Sequence, residues 1–303
     1  MANQNIQDII QAPKGETTSD DVVRENVIRE IVFKQSDLIA VGTNIVPERT
    51  FGALDVDFSY PGEIDGEYPV AENSIVDRER VQWKEFDLQL HQAEARFMLT
   101  DIARIRGQNT LQNEMSLQRA SEAIAKEKDE NILSTLRDGA PDDNNIVLDR
   151  DSDEGWDQDN ADIENDVMRA WNNIFQNSNV NEDDVENSHL VLPAGVHSNV
   201  QSLQLINNVQ QTLRDYLETS IGLNIHFSRI LDDYNDAIFA VGGEDTAIHG
   251  VLDADEIDMV ETSRELGRGD DTLVRQFFNT AIVEDWGLTN ESYRIARIED
   301  VSE

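Results

Sequence analysis

The sequence predicts an α+β fold, and three stretches carry that prediction. Residues 51–90 hold two runs in which apolar and polar side chains alternate, the period of half-buried strands. Residues 111–139, LQNEMSLQRASEAIAKEKDENILSTLRDG, read as one helix with a thin apolar stripe and no break in its middle. Residues 160–254 mix amphipathic helices with short buried strands, the pattern of a separate mixed module.

Taken in order, residues 1–20 are polar, interrupted by Pro13 and Gly15, and read as a flexible arm. Asp20 or Asp21 can cap a short helix whose apolar positions are Val23, Val27, Ile28 and Ile31. Leu54, Val56, Phe58 and Tyr60 then alternate with Asp55, Asp57 and Ser59. Turn residues follow at Pro61-Gly62, Asp65-Gly66 and Pro69. Val81 and Trp83 alternate again, as do Phe86, Leu88 and Leu90, with a change of phase at Glu85-Phe86. One extra residue, a β-bulge, is the expected cause, which makes 51–90 a long curved hairpin. Such a hairpin is marginal alone and needs a surface to lie on.

QAEARFMLTDIARIRGQN reads as a short helix, with Ala95, Met98, Leu99, Ile102 and Ile105 on one side and Gly107 at its end. The long helix comes next, with Leu117, Ala120, Ile124, Ile132 and Leu136 on its apolar face and Gly139-Ala140-Pro141 as its stop. Its length is roughly 45 Å. An acidic connector surrounds Ile146–Leu148. The module beyond it contains a helix with Ile163, Val167, Ala170, Trp171 and Ile174 inward, the short buried strand SHLVLPAG stopped by Pro193, a second helix over 198–222, and strand-like runs NIHFSRIL, AIFAVGG and AIHGVLDADEIDMV. The tail has an apolar face at Val274, Phe277, Phe278 and Ile282 and a last strand at Tyr293–Ile298.

Charge is the strongest compositional feature. The 303 residues carry 62 acidic against 24 basic side chains, a net charge of −38. The acid is spread along the whole chain, unlike an acidic tail, and the lysines are confined to Lys14, Lys34, Lys84, Lys126 and Lys128. At molar ionic strength the screening length falls to about 3 Å and self-repulsion fades. Spread acid with scarce lysine reads as adaptation to a salt-saturated cytoplasm, the alternative being a merely acidic mesophilic protein. A basic patch, the usual footprint of a nucleic-acid binder, is missing from the sequence. Cysteine is absent, which excludes disulfides and thiolate chemistry. No apolar run is long enough to span a membrane and no signal-peptide pattern opens the chain.

Motifs for chemistry are scarce. Neither GxxxxGK[ST], GxGxxG nor GxSxG occurs. His91, His189, His197, His226 and His249 show no ligand spacing and read as surface or strand-end residues. Asp149, Asp151 and Asp153 resemble the start of a calcium loop, but Gly155 comes one position late and Asn160 stands where a bidentate Glu is required. Asp183-Asp184 and Asp232-Asp233 are pairs expected by chance in so acidic a chain, and Asn290-Glu-Ser292 is a common accidental sequon. No cofactor and no catalytic residue are expected, and the chain reads as a scaffold or binding protein.

The order of parts is more informative. VQWKEFDLQLHQAEARFMLTDIARIRGQ, SLQRASEAIAKEKDENILSTLRDGA, NSHLVLPAGVHSNVQSLQ and AIHGVLDADEIDMVETSRE, followed by VRQFFNTAIVEDWGLTNESYRIARI, resemble in turn the extended loop, spine helix, axial domain and return strands of the major capsid proteins of tailed double-stranded DNA viruses. These have the Hong Kong 97-type fold. The resemblance implies an N-terminal arm over 1–50, an extended loop over 51–91, a peripheral domain with the spine helix over 92–159, an axial domain over 160–254 and a peripheral return segment over 255–303. It implies a shell of identical subunits in hexamers and pentamers, formed in the host cytoplasm, with a portal, minor or decoration proteins, and DNA held through counterions. Phe58, Tyr60, Trp83, Lys84 and Phe86 are the expected inter-subunit contacts. Lys84 also raises an isopeptide crosslink, for which no acceptor is identifiable. Together with the acidic composition, the implied source is a virus of halophilic archaea. Two other readings are an encapsulin-like compartment shell and a halophilic enzyme with its active module at 160–254.

Overall fold

Two five-stranded sheets, two two-stranded ribbons and one long helix organise the described residues of the computed structural model, which are 40–61, 83–99, 109–148, 155–158, 161–180, 187–206, 209–253, 260–265, 269–285 and 288–302. In chain order the strands are β1 (Glu48–Phe51), β2 (Asp55–Pro61), β3 (Trp83–Gln89), β4 (His91–Leu99), β5 (Ile146–Val147), β6 (Ser188–Pro193), β7 (Leu203–Ile206), β8 (Val209–Thr212), β9 (Asn224–Ser228), β10 (Ala237–Val241), β11 (Ala247–Leu252), β12 (Val260–Glu265), β13 (Gly269–Ile282) and β14 (Ile295–Glu299). The two long helices are α1 (Asn109–Asp138) and α2 (Ile163–Asn177). The arm, the helix expected near Val23–Ile31 and the calcium candidates Asp149, Asp151 and Asp153 lie outside the described residues.

α1 is the long helix the sequence predicts. It contains neither Gly nor Pro, and it stops where Gly139 donates its N–H to the Thr135 carbonyl at 2.9 Å. Its buried face is wider and more polar than the apolar stripe. Ser121, Lys128 and Asp129 are buried beside Ala120, Ile124, Ala125, Ile132, Leu133 and Leu136. Lys128 and Asp129 have partners that only the fold supplies. Lys128 Nζ lies 3.5 Å from Glu48 Oε2 on β1, and Asp129 accepts the Gly42 N–H at 2.7 Å. Burial still pushes the Asp129 carboxyl up to about 6, against the lowering effect of its backbone bonds.

The first sheet runs β1-β11-β13-β12, with β4 paired to β13. β4 overturns the helix expected over 92–109 as far as residue 99, and residues 100–108 lie outside the described residues. Ala93, Ala95 and Phe97 face α1 and Val274, while Gln92, Glu94 and Met98 are exposed. That is period two, hidden in the sequence by alanines, which favour a helix. The nine-residue antiparallel register with β13, from His91 opposite Phe278 to Leu99 opposite Asp270, decided the matter.

The second sheet runs β5-β14-β10-β6-β9, and its central strands β6 and β10 are buried on both faces. Ala237, Phe239 and Val241 of β10 pack toward α2 with Leu190 and Leu192 of β6, while Ile238, Ala240 and Val191 pack toward α1. α2 is capped by Asp162, whose Oδ1 accepts the Asn165 N–H at 3.3 Å. Trp156 is fully buried under it, its Nε1–H donated to Asp166 Oδ2 at 3.0 Å. The second helix expected over 198–222 is instead a short turn, the β7–β8 hairpin and a helical segment over 213–221 that ends at Gly222 with φ +88°. The missed signal is the alternation Leu203-x-Leu205 running into Asn207-Asn208, a turn pair.

β11, inside 160–254, belongs to the first sheet, and β14, inside 255–303, belongs to the second. The chain crosses between them three times, after β4, β10 and β13, and the C-terminal half of α1 lies in the seam. Ile132, Leu133 and Leu136 share one core with Val191, Ile238 and Ile295 of the second sheet and with Ala247 and Ile282 of the first.

Candidate assembly interface

β2 and β3 form a ribbon that, among the described residues, pairs with neither sheet. Their register runs without interruption from Asp55 opposite Gln89 to Pro61 opposite Trp83. The bulge expected at Glu85-Phe86 is therefore absent. The sequence changes phase there because the apolar residues switch face, and no residue is inserted. By this register, positions 56, 58, 60, 84, 86 and 88 share one face of the ribbon, and 83 falls on the other with 55, 57, 59, 61, 85, 87 and 89. Phe58, Tyr60, Lys84 and Phe86 are thus brought onto one face, with Phe58 opposite Phe86 and Tyr60 opposite Lys84, and Trp83 is separated from them.

The second face is acidic. Asp55, Asp57, Glu85 and Asp87 are exposed, and Asp57 stands directly opposite Asp87. Like charges in that relation destabilise a ribbon by about 0.2–1 kcal/mol. The ribbon has to be held by something other than its own surface.

Its root supplies the hold. Leu88 and Leu90 are buried with Leu252, against Phe51, Phe277 and Ala281. Gly250 of β11 lies beneath them. A Cβ on Gly250 would stand 2.6 Å from Leu88 Cδ2 and 3.0 Å from both Leu90 Cδ2 and Phe51 Cε2. Gly250→Ala is therefore expected to lower stability by about 1–3 kcal/mol, the usual range for overpacking. A urea midpoint equal to that of the unchanged chain would contradict this packing.

A line of polar side chains extends the anchorage into α1. Asn279 Nδ2 donates to the Gln89 carbonyl at 2.8 Å, and Asn131 Nδ2 of α1 donates to Asn279 Oδ1 at 2.9 Å. Thr280 Oγ1 donates to Asn131 Oδ1 at 2.7 Å and lies 2.9 Å from His249 Nδ1. Burial, then the charge of Lys128, hold the His249 ring down at about 3. Sequence reading marked none of these residues, because their partners are more than a hundred positions apart in the chain or lie across a sheet.

Open edges add to the ribbon. Among the described residues β4 pairs on one side only, and Met98 on it is 51% exposed. β5 and β9 are the edges of the second sheet, and Val147 on β5 is 63% exposed. Unpaired edges of this kind invite a second chain. A shallow groove of about 240 Å³ lies between β4 and α1, lined by His91, Glu127, Glu130 and Asn131, outside the 160–254 module in which an enzyme reading expects its pocket. Asp232 is exposed and accepts the Gly195 N–H at 3.2 Å. Asp183-Asp184 lie outside the described residues. Of the five histidines the structure brings together two, His189 and His226, whose ring nitrogens approach to 3.1 Å. Among the described residues no group of three or more His, Asp or Glu stands together as a metal site, and no helix is long and apolar enough to cross a membrane.

No protein-family model and no curated protein matches the sequence. Solved structures match along nearly the whole chain. The virus-like particle of Pyrococcus furiosus is similar at 12% identity and a TM-score of 0.61, over 91% of this chain and 99% of its own. The capsid of cyanophage P-SCSP1u is similar at 13% identity and a TM-score of 0.57, over 84% and 86% of the two chains. The capsid of a native GTA particle is similar at 10% identity and a TM-score of 0.60, over 88% and 91%. At these identities the likeness establishes the fold, and that fold is the Hong Kong 97-type α+β fold expected from the order of the sequence elements.

Proposed function

We propose that this chain is a major capsid protein, whose identical copies assemble as hexamers and pentamers into a closed icosahedral shell around double-stranded DNA. The observation that carries the reading is the end-to-end likeness to a virus-like particle subunit, covering 91% of this chain and 99% of that one. The ribbon supports it. A two-stranded ribbon anchored at its root, with one face acidic and the other bearing Phe58, Phe86 and Tyr60 positions, is a structure whose remaining contacts come from another subunit. The regions 1–50, 51–91, 92–159, 160–254 and 255–303 then act as arm, extended loop, peripheral domain, axial domain and return segment.

The charge extends the proposal. With a net charge of −38 per chain, the shell is built for concentrated salt, as in a tailed virus of a halophilic archaeon. Packaged DNA is also a polyanion, so its contact with the wall runs through potassium or magnesium rather than basic side chains. Portal and decoration proteins are the expected companions in a virion assembled in the host cytoplasm.

The test is purification in molar KCl, followed by size-exclusion chromatography and electron microscopy. Capsomers or particles of several megadaltons made of this chain are expected, and a protein that stays monomeric at every salt concentration would overturn the reading. Trp83→Ala is a finer probe. It is expected to leave the thermal transition of the dissociated subunit within about 1 kcal/mol of the unchanged chain while lowering the yield of particles. Normal particle yield would remove Trp83 from the interface.

A further inference from the structure

His189 and His226 lie on adjacent parallel strands, β6 and β9, and their rings meet end to end. His189 Nδ1 stands 3.1 Å from His226 Nε2, with ring centroids 5.4 Å apart and planes 19° from parallel. So wide a centroid separation for so short a nitrogen contact means that the rings point at each other along one line. That is the geometry of a hydrogen bond and not of two ligands converging on a metal. Two neutral imidazoles in this relation share one proton, one nitrogen donating and the other accepting.

The far side of His189 sets the direction. Asn187 donates an Nδ2 hydrogen to the Gly242 carbonyl, which turns its Oδ1 toward His189 Nε2 at 3.5 Å. An acceptor oxygen there favours the proton on His189 Nε2 and leaves Nδ1 bare. His226 therefore carries its proton on Nε2 and donates it to His189, and its own Nδ1 is the open acceptor. There is little slack on the His189 side. The residue is 6% exposed, and a Cβ on Gly242 would stand 3.0 Å from its Cδ2.

We infer that this pair is an acid-operated latch on β9, an edge strand of the second sheet, closed while one proton lies between the rings and opened when His189 takes a second. The first added proton goes to the open Nδ1 of His226 and leaves the bond intact. The next must land on His189 Nδ1, the atom that accepts the bond. Two N–H groups on two cations then face each other, and β9 is pushed from β6. Among the described residues β9 pairs with β6 alone, so it can part without breaking the rest of the sheet.

The charged groups that bear on the pair are Arg214 and Glu218, which face His226 and bond each other at 2.7 Å. On the other side His189 meets Asn187, Gly242 and, across in β10, Ala240, none of them charged. Burial, then the neighbouring His226, hold His189 down at about 4. Burial and then Arg214 lower His226, with Glu218 opposing. Both rings bind protons less readily in the folded chain than the ordinary 6.5. Their contribution to stability is therefore complete above pH 6.5 and is lost as pH falls toward about 4.

The test uses the full chain in molar KCl. Long-range proton–nitrogen NMR on histidine-labelled protein at neutral pH should find both rings protonated on Nε2. His226→Gln keeps a donor at neutral pH, and its amide can turn to offer an oxygen to a protonated His189. Its acid-unfolding midpoint should lie about 0.5 pH unit or more below that of the unchanged chain. His249 and Asp129 also titrate but are common to both chains, so the difference isolates the pair. A His226 ring protonated on Nδ1 overturns the latch, as does an unchanged midpoint. Should the variant fail to fold, the NMR measurement on the unchanged chain still decides.

Discussion

Particles transferred from multi-molar KCl to about 0.1 M salt are expected to loosen and dissociate. Each chain carries a net charge of −38, so neighbours in the proposed shell would bring acidic surfaces together. At about 0.1 M the screening length is about 10 Å, longer than the gap between packed surfaces, and at 1 M it is about 3 Å. The ribbon is where the effect should start, since Asp57 faces Asp87 within one chain before any neighbour arrives. A single exposed pair at about 4 Å is worth about 1 kcal/mol in water. Repeated over every contact of a closed shell, that term exceeds the margin of a weak interface. Sedimentation or light scattering across a salt series would follow the change. Asp57→Asn should shift the dissociation point toward lower salt, and particles equally stable at both ends of the series would contradict the argument.

Leu136→Ala is expected to cost the subunit about 2–5 kcal/mol, the range for emptying a buried leucine site. Leu136 is fully buried at the C-terminal end of α1, in the core that joins Val191, Ile238 and Ile295 of one sheet to Ala247 and Ile282 of the other. A cavity there is lined from both sides, and neither sheet can close it without leaving its own partners. Since domains are stable by only about 5–15 kcal/mol, the loss should be visible as one shared shift of the urea transition. Met115, 56% exposed on the same helix, is the control, and its change to Ala should move stability by less than about 0.5 kcal/mol. A Leu136→Ala shift as small as the control's would show that the two sheets do not depend on this seam.

The sequence alone determined the features that depend on local pattern. α1 and its stop at Gly139, α2, and strands β2, β6, β9, β10 and β11 all follow from periodicity and turn residues within a few positions. The order of these parts was enough to point to the Hong Kong 97-type fold. Tertiary structure decided what depends on a distant partner. β4 is a strand because β13 offers nine residues of hydrogen bonds to a segment whose alanines favour a helix. Lys128 and Asp129 are inside because Glu48 and the Gly42 amide receive them. The faces of the ribbon, the exchange of β11 and β14 between sheets, and the meeting of His189 with His226 were hidden for the same reason. A local pattern specifies which face of an element is apolar, but pairing across the chain is a property of two segments at once, and neither one carries it alone.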